Sequence, residues 1–251
     1  MPISTLMSRN PSAESHQNDP SGDSAAVRFA GVSMAYGREA PVLRDVSFSL
    51  APGSFHFITG ASGSGKTTVL KLIYMAERPT GGRIELFGQD LTSLPRNARP
   101  AVRRRIGVVF QEFRLLEHLS AFDNAALAPR IAGRKPASYS ADVAELLGWV
   151  GLGSRMQALP NALSGGEKQR LAIARAVVNQ PDILLADEPT GNVDAAIAQR
   201  ILRLLSELNR LGTTVLIASH DEDLVARSGV PVLHLSEGGV TRFERGRERV
   251  A

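Results

Sequence analysis

A chain of 251 residues, 43% of them apolar, has the material for one large α/β domain or two small ones with a sizeable core. It contains no cysteine, which excludes a disulfide framework and a thiolate metal site, and no apolar run near the roughly 18–20 residues that cross a membrane. The formal net charge of +4 comes from interspersed acids and bases, so it permits contact with anionic lipid or nucleic acid without arguing for either.

Residues 1–25 are rich in Ser, Asn, Pro and Asp, with one arginine in the first ten positions and no apolar h-region. They predict a disordered extension rather than a secretory signal, and the simplest residence of the chain is the cytosol. The folded domain is expected over 26–245, starting with a strand at 27–32 and an alternating, edge-type strand at 42–50. Ala51-Pro52-Gly53 marks a turn, and Phe55-His56-Phe57-Ile58-Thr59 a third strand. The glycine-rich run Gly60-Ala61-Ser62-Gly63-Ser64-Gly65-Lys66-Thr67-Thr68 follows, then a helix-like run over 68–73. After a break at 77–82, residues 83–87 alternate into a strand, and 88–91 look like the turn leaving it. The basic run 96–105, with Arg103-Arg104-Arg105 adjacent, is expected to be a solvated helix face.

Residues 106–110 make a short apolar strand that ends at Gln111. From 112 to 163 the pattern is helical and irregular, clearest over 140–150, and reads as a helical insertion. A helix opens at Ser164 and runs to about 178. Residues 183–187 are a buried-type strand ending at Asp187-Glu188, a helix follows over 194–210, and 214–218 is a buried strand ending at Ser219-His220. Closing strands are expected at 231–235 and 239–241, and a frayed tail at 246–251. Strands alternating with helices predict an α/β sandwich with mostly parallel strands in its core.

Gly60, Gly65, Lys66 and Thr67 fit G-x-x-x-x-G-K-[ST] between a strand and a helix, which is the context a phosphate loop needs. Glycines let backbone N–H groups wrap a phosphate chain, the helix N-terminus adds partial positive charge, Lys66 reaches the β- and γ-phosphates, and the Thr67 hydroxyl ligates Mg²⁺. A plain Gly/Ser turn before a helix is the bland alternative. Asp187 and Glu188 close a buried strand, where a doubly wound sheet places its ligands. Beside a phosphate loop, Asp187 suits Mg²⁺ and Glu188 suits a general base that polarises water; a solvated turn is the alternative. His220 ends the next buried strand and can bond a γ-phosphate and the attacking water, although a lone histidine is more often structural. The Gln111 amide can reach both Mg²⁺ and water. Ser164-Gly165-Gly166-Glu167 is a capping box locally, but two glycines in a first turn are poor helix formers and suit close approach to a phosphate. Tyr36 either stacks on adenine or simply packs.

Taken together, these segments resemble the ATP-binding cassette (ABC) ATPases, in order and across nearly the whole chain from Val27. The matches are Tyr36 for the adenine-stacking aromatic, Gly60 to Thr68 for the phosphate loop, Gln111 for the Q-loop, and Leu163-Ser164-Gly165-Gly166-Glu167 for the signature. Ile183 to Glu188 matches the Walker B strand, Gly191-Asn192-Val193-Asp194 the D-loop, and His220 the switch histidine. The resemblance implies a P-loop NTPase core of ABC type with an antiparallel β subdomain and a helical subdomain. It implies ATP and Mg²⁺ as ligands, ATP hydrolysis as the activity, and a head-to-tail homodimer in which each ATP lies between one subunit's phosphate loop and the other's signature helix.

Within the family, Phe55-His56-Phe57-Ile58-Thr59-Gly60, Leu70-Lys71-Leu72-Ile73-Tyr74, Glu77-Arg78-Pro79-Thr80-Gly81-Gly82 and Phe110-Gln111-Glu112-Phe113-Arg114-Leu115-Leu116 resemble the bacterial cell-division branch. That branch implies an FtsX-like integral membrane partner, contacted by Glu112, Phe113, Arg114 and Leu115. It also implies indirect action on cell-wall hydrolases or their activators, and a peripheral place on the cytoplasmic side of the inner membrane at the division site. No nucleic acid partner is expected. Two features depart from the pattern: the polar N-terminal extension, and Lys168 where glutamine is common after the signature. The Pro189-Thr190-Gly191-Asn192-Val193-Asp194 run is shared with lipoprotein-release and macrolide-export ATPases, which keeps an exporter subunit as an alternative. A soluble ATPase or regulatory module without a membrane partner is a third reading.

Overall fold

An eight-residue strand, β1 (Val27–Met34), opens the folded chain in the computed structural model, which describes residues 25–191 and 193–243. The expected extension up to residue 24, the expected frayed tail and Asn192 lie outside the described residues. β1 pairs antiparallel with β2 (Leu43–Leu50) on one side and β4 (Gly81–Leu86) on the other. Phe29 faces Phe48 across the ladder with ring centroids 4.5 Å apart, a cross-strand aromatic pair that pins the register. The segment expected as a turn after β4 is instead a short strand, β5 (Gln89–Asp90). Phe87 and Gly88 both have positive φ, 52° and 75°, so the reversal is a two-residue hairpin loop that returns the chain onto β4. The order of this sheet is β2-β1-β4-β5, which puts the alternating strand of residues 43–50 at an edge, as its pattern predicts.

The second sheet has six strands: β3 (Phe55–Thr59), β6 (Ile106–Val109), β7 (Ile183–Asp187), β8 (Thr214–Ala218), β9 (Val232–Ser236) and β10 (Gly239–Phe243). Their order is β10-β9-β3-β8-β7-β6, parallel except for the β9–β10 hairpin. Eight helices complete the described chain: α1 (Lys66–Ile73), α2 (Arg99–Arg103), α3 (Ala121–Ala125), α4 (Leu127–Ile131), α5 (Ser140–Trp149), α6 (Gly165–Val177), α7 (Ala195–Arg210) and α8 (Glu222–Ser228).

The parallel strands are buried on both faces, which is why they read as continuous apolar runs. In β7, Ile183 and Leu185 pack with Val69 and Leu70 of α1 and with Val27 and Phe29 of the antiparallel sheet. Leu184 and Ala186 point the other way, into a core shared with Val143 of α5, Leu171 of α6 and Leu205 of α7. The register aligns Ile58 and Asp187 with Ala218, and Val109 with Ala186. The carboxyl ends of β3, β8, β7 and β6 therefore finish side by side, with β3 flanked by β8 and β9, so the residues that follow converge on one crevice.

Two differences from expectation have simple causes. The basic run is only partly a solvated face. Arg103 donates to the carbonyls of Tyr74 at 3.3 Å and Met75 at 2.7 Å, capping the end of α1, and Arg105 pairs with Asp182 at 2.5 Å while lying 3.7 Å over the Phe87 ring. Helix α8 was not anticipated, though its signals are present: Asp221 accepts from the Leu224 N–H, Glu222 and Asp223 occupy the first turn, and Gly229 ends it at φ 61°. Among the described residues no helix is long and apolar enough to cross a membrane.

Candidate functional site

The crevice at the strand ends is a cleft of about 450 Å³ that brings together Lys66, Thr67, Gln111, Asp187, Glu188 and His220. Ser62, Gly63, Gly65 and Thr68 line it as well, whereas Gly60, Ala61 and Ser64 shape the loop without lining the cleft. Gly60 has φ 143°, and a Cβ there would stand 2.3 Å from the Leu235 carbonyl oxygen and 2.6 Å from Ser64 Oγ, so only glycine fits between the loop and β9. Gly65 precedes α1 in a left-handed conformation, and no side chain caps that helix start. Its first N–H groups are left for an anion, and no acidic residue occupies the first turn to compete. Lys66 is buried and folds back over the loop, donating to the carbonyls of Gly60 at 2.8 Å and Ala61 at 3.0 Å.

Across the cleft, Thr67 Oγ1 donates to Asp187 Oδ1 at 3.3 Å. Burial pushes the Asp187 carboxyl above the ordinary aspartate range; the Thr67 bond opposes this and the neighbouring Glu188 adds to it. A raised folded-state pKa means that ionised Asp187 costs folding free energy above that pKa, and that the cost vanishes as pH falls below the ordinary aspartate range, where both states are protonated. Asp187→Asn should therefore raise the melting temperature of the nucleotide-free protein in EDTA at neutral pH, with the gain lost in acid. The expected rise is a few degrees, since ~1 kcal/mol moves Tm by about 2–4 °C in a domain of this size. Differential scanning calorimetry across pH checks it, and a fall in Tm at neutral pH would contradict the burial argument.

Glu188 sits at φ 48°, a left-handed conformation held by its N–H on the Ala218 carbonyl at 2.9 Å. Such strain in a residue with a Cβ concentrates at functional positions. Its side chain is 10% exposed, and its Oε1 lies 2.7 Å from Nδ1 of His220, which is 68% exposed. An ionised carboxylate only accepts, so Nδ1 carries the proton of this bond and Nε2 remains as the second functional nitrogen.

The remaining sequence-predicted residues lie elsewhere. The Tyr36 hydroxyl meets Thr68 Oγ1 at 3.2 Å, and its ring packs beside the phosphate-loop helix without lining the cleft. Ser164 and Glu167 form the capping box of α6: Ser164 Oγ accepts from the Glu167 N–H at 3.3 Å, and Glu167 Oε2 from the Ser164 N–H at 2.8 Å. Gly166 has a packing reason of its own, because a Cβ there would come 2.6 Å from Ile197 Cδ1 on α7. Neither these residues nor Gly165 line the cleft of this chain. Val42 does line it and was not anticipated; an apolar residue leading into a strand gives no chemical signal.

The family model described as "ABC transporter" matches residues 43–191. The chain belongs to this family of ATP-binding cassette ATPases. It is 48% identical over 214 residues to the cell division ATP-binding protein FtsE of Escherichia coli (strain K12), covering 84% of this chain and 96% of the relative. With FtsE of Bacillus subtilis (strain 168) the identity is 40% over 218 residues, covering 87% and 96%. Among solved structures, the ATP-binding cassette MJ0796, described as a dimer in a post-hydrolysis state bound to ADP and Pi, matches with a TM-score of 0.80 at 34% identity. That match covers 89% of this chain and all of the other. The ATPase is thus FtsE-like: an ATP hydrolase on a P-loop ABC fold, with the antiparallel and helical subdomains its sequence implied.

Proposed function

We propose that this ATPase is the cytoplasmic subunit of an FtsEX-like complex, coupling ATP binding and hydrolysis through a membrane partner to septal peptidoglycan hydrolysis during cell division. The observation that carries it is identity of 40–48% to FtsE proteins over most of the chain, joined to a cleft that gathers Lys66, Thr67, Gln111, Asp187, Glu188 and His220.

Within the cleft, Lys66 exchanges the carbonyls of Gly60 and Ala61 for β- and γ-phosphate oxygens of ATP, and Tyr36 offers its ring to adenine. Glu188 is the general base, which requires it to trade its bond to His220 for one to water; His220 then holds the γ-phosphate side of that water. Mg²⁺ fits the donor set. Thr67 hydroxyl, Asp187 carboxylate and Gln111 amide are all hard oxygen donors, and a cation offsets the burial that raises Asp187. When bound, the ion neutralises charge developing on the transferring phosphoryl group.

Ser164, Gly165, Gly166 and Glu167 serve the ATP of a second subunit in a head-to-tail homodimer, which accounts for their place outside this chain's own cleft. Glu112, Phe113, Arg114 and Leu115, next to Gln111, meet the FtsX-like partner; Glu112 and Arg114 are exposed and the other two half-buried. The ATPase is then peripheral on the cytoplasmic face of the inner membrane, at the division site.

Affinity capture of Glu188→Gln protein from detergent-solubilised membranes with ATP, read by mass spectrometry, tests this. Recovery of a small four-span membrane protein with division-site proteins is the expected result. A transporter with export-type periplasmic domains would move the function to lipoprotein release or efflux, and no membrane partner with ATPase activity intact would leave a soluble ATPase.

A further inference from the structure

Gln111 is carried by a tight turn. The Phe113 N–H donates to the Phe110 carbonyl at 3.1 Å, and the Arg114 N–H then donates to the Glu112 carbonyl at 2.5 Å. Phe113 and Arg114 have φ of 59° and 49°, two successive left-handed residues that both carry a Cβ. A three-residue turn of this hand is rare and strained, and persists only where its surroundings over-determine it.

Two of its carbonyls are held by one side chain from another element. Arg175 Nη1 donates to the Arg114 carbonyl at 2.5 Å, and its Nη2 to the Phe113 carbonyl at 2.6 Å. The planar fork of a guanidinium suits two adjacent carbonyls, which an ammonium does not match. Arg175 is half-buried, and burial pulls its pKa down. Packing alone does not call for such a residue, since an apolar side chain would fill the place without burying a cation. Arg175 stands in the last turn of α6, and the first turn of that helix bears Ser164 to Glu167. At about 1.5 Å per residue the helix is a rigid strut of roughly 15 Å between the two.

We propose that Arg175 is a positioning residue that locks the turn carrying Gln111 to the signature helix and so holds Gln111 at its place in the cleft. The inference stands on the cassette ATPase activity and does not depend on the identity of the membrane partner.

The test is a double-mutant cycle between Arg175→Lys and Gln111→Ala, with ATP hydrolysis measured in single turnover so that slow variants remain quantifiable. Arg175→Lys keeps the charge and loses the fork. It should leave Tm and ATP affinity near wild type while lowering kcat by about 10-fold, with KM changed less than about 2-fold. Arg175→Met, where it folds, should lower kcat further. In the Gln111→Ala background, Arg175→Lys should add less than about 2-fold, because the two residues act through one another. Full multiplication of the two losses, or a normal kcat in Arg175→Lys, would overturn the proposal and leave Arg175 as a structural brace.

Discussion

Glu188→Gln should bind ATP as tightly as the wild type and hydrolyse it at least a hundredfold more slowly, the low end of the ~10²–10⁴-fold that a positioned general base contributes. The substitution keeps the size and shape of the side chain. Gln can still accept at its Oε1, so the 2.7 Å bond from His220 Nδ1 survives, as does the backbone bond that fixes φ 48° through the Ala218 carbonyl. What is lost is the carboxylate's charge and, with it, its basicity. The side chain is only 10% exposed, so bulk water does not substitute for the missing base. The loss therefore falls on kcat and leaves the binding of ground-state nucleotide unchanged. Equilibrium binding of ATP alongside single-turnover phosphate release separates the two. Wild-type turnover would remove Glu188 from the chemistry and shift attention to His220. A loss of ATP affinity equal to the loss of turnover would instead mean that Glu188 serves to shape the cleft.

Most of this site was legible because its residues stand at the ends of strands buried on both faces. Ile183 to Ala186 and Val215 to Ala218 contain no polar residue, so the first polar residues after them had to emerge at the carboxyl end of the sheet. The phosphate loop was legible for a different reason: its glycines are demanded by the space around the backbone, as the Leu235 carbonyl shows at Gly60. What escaped the sequence depends on pairing across long stretches of chain. The Glu188–His220 bond joins residues 32 apart, and the Arg175 fork joins residues 61 and 62 apart. Neither has a local pattern. β5 escaped because two residues are too few to alternate, and only the loop geometry at Phe87 and Gly88 reveals it. The signature glycines were read as room for a phosphate. Gly166 has a second cause in Ile197, so its presence alone does not establish that a phosphate approaches there.

Lys66→Ala should abolish productive nucleotide binding, weakening ATP affinity by about 100-fold or more. Without nucleotide, the Lys66 ammonium is held by the Gly60 and Ala61 carbonyls at 2.8 and 3.0 Å, already gathered at the loop and largely removed from water. Transfer to a polyphosphate replaces two neutral acceptors with charged ones, at a cation whose desolvation the fold has already met. A hydrogen bond to a charged group contributes about 1.5–3 kcal/mol, so loss of two such bonds accounts for a hundredfold or more. Lys66→Arg should not restore binding, because a planar fork does not match the converging geometry of a loop built around a point charge. Thermal shift gives the cleanest reading. At 100 times its Kd, a ligand stabilises the wild type by about 2.7 kcal/mol, which in a domain of this size raises Tm by roughly 5–10 °C. Lys66→Ala at the same Mg·ATP concentration should show almost none of that rise, while its nucleotide-free Tm stays within a few degrees of wild type because water can take over the two freed carbonyls. A full ligand-induced shift in Lys66→Ala would mean that the loop amides and the α1 N-terminus hold the phosphates by themselves, and the lysine would lose its place in the site.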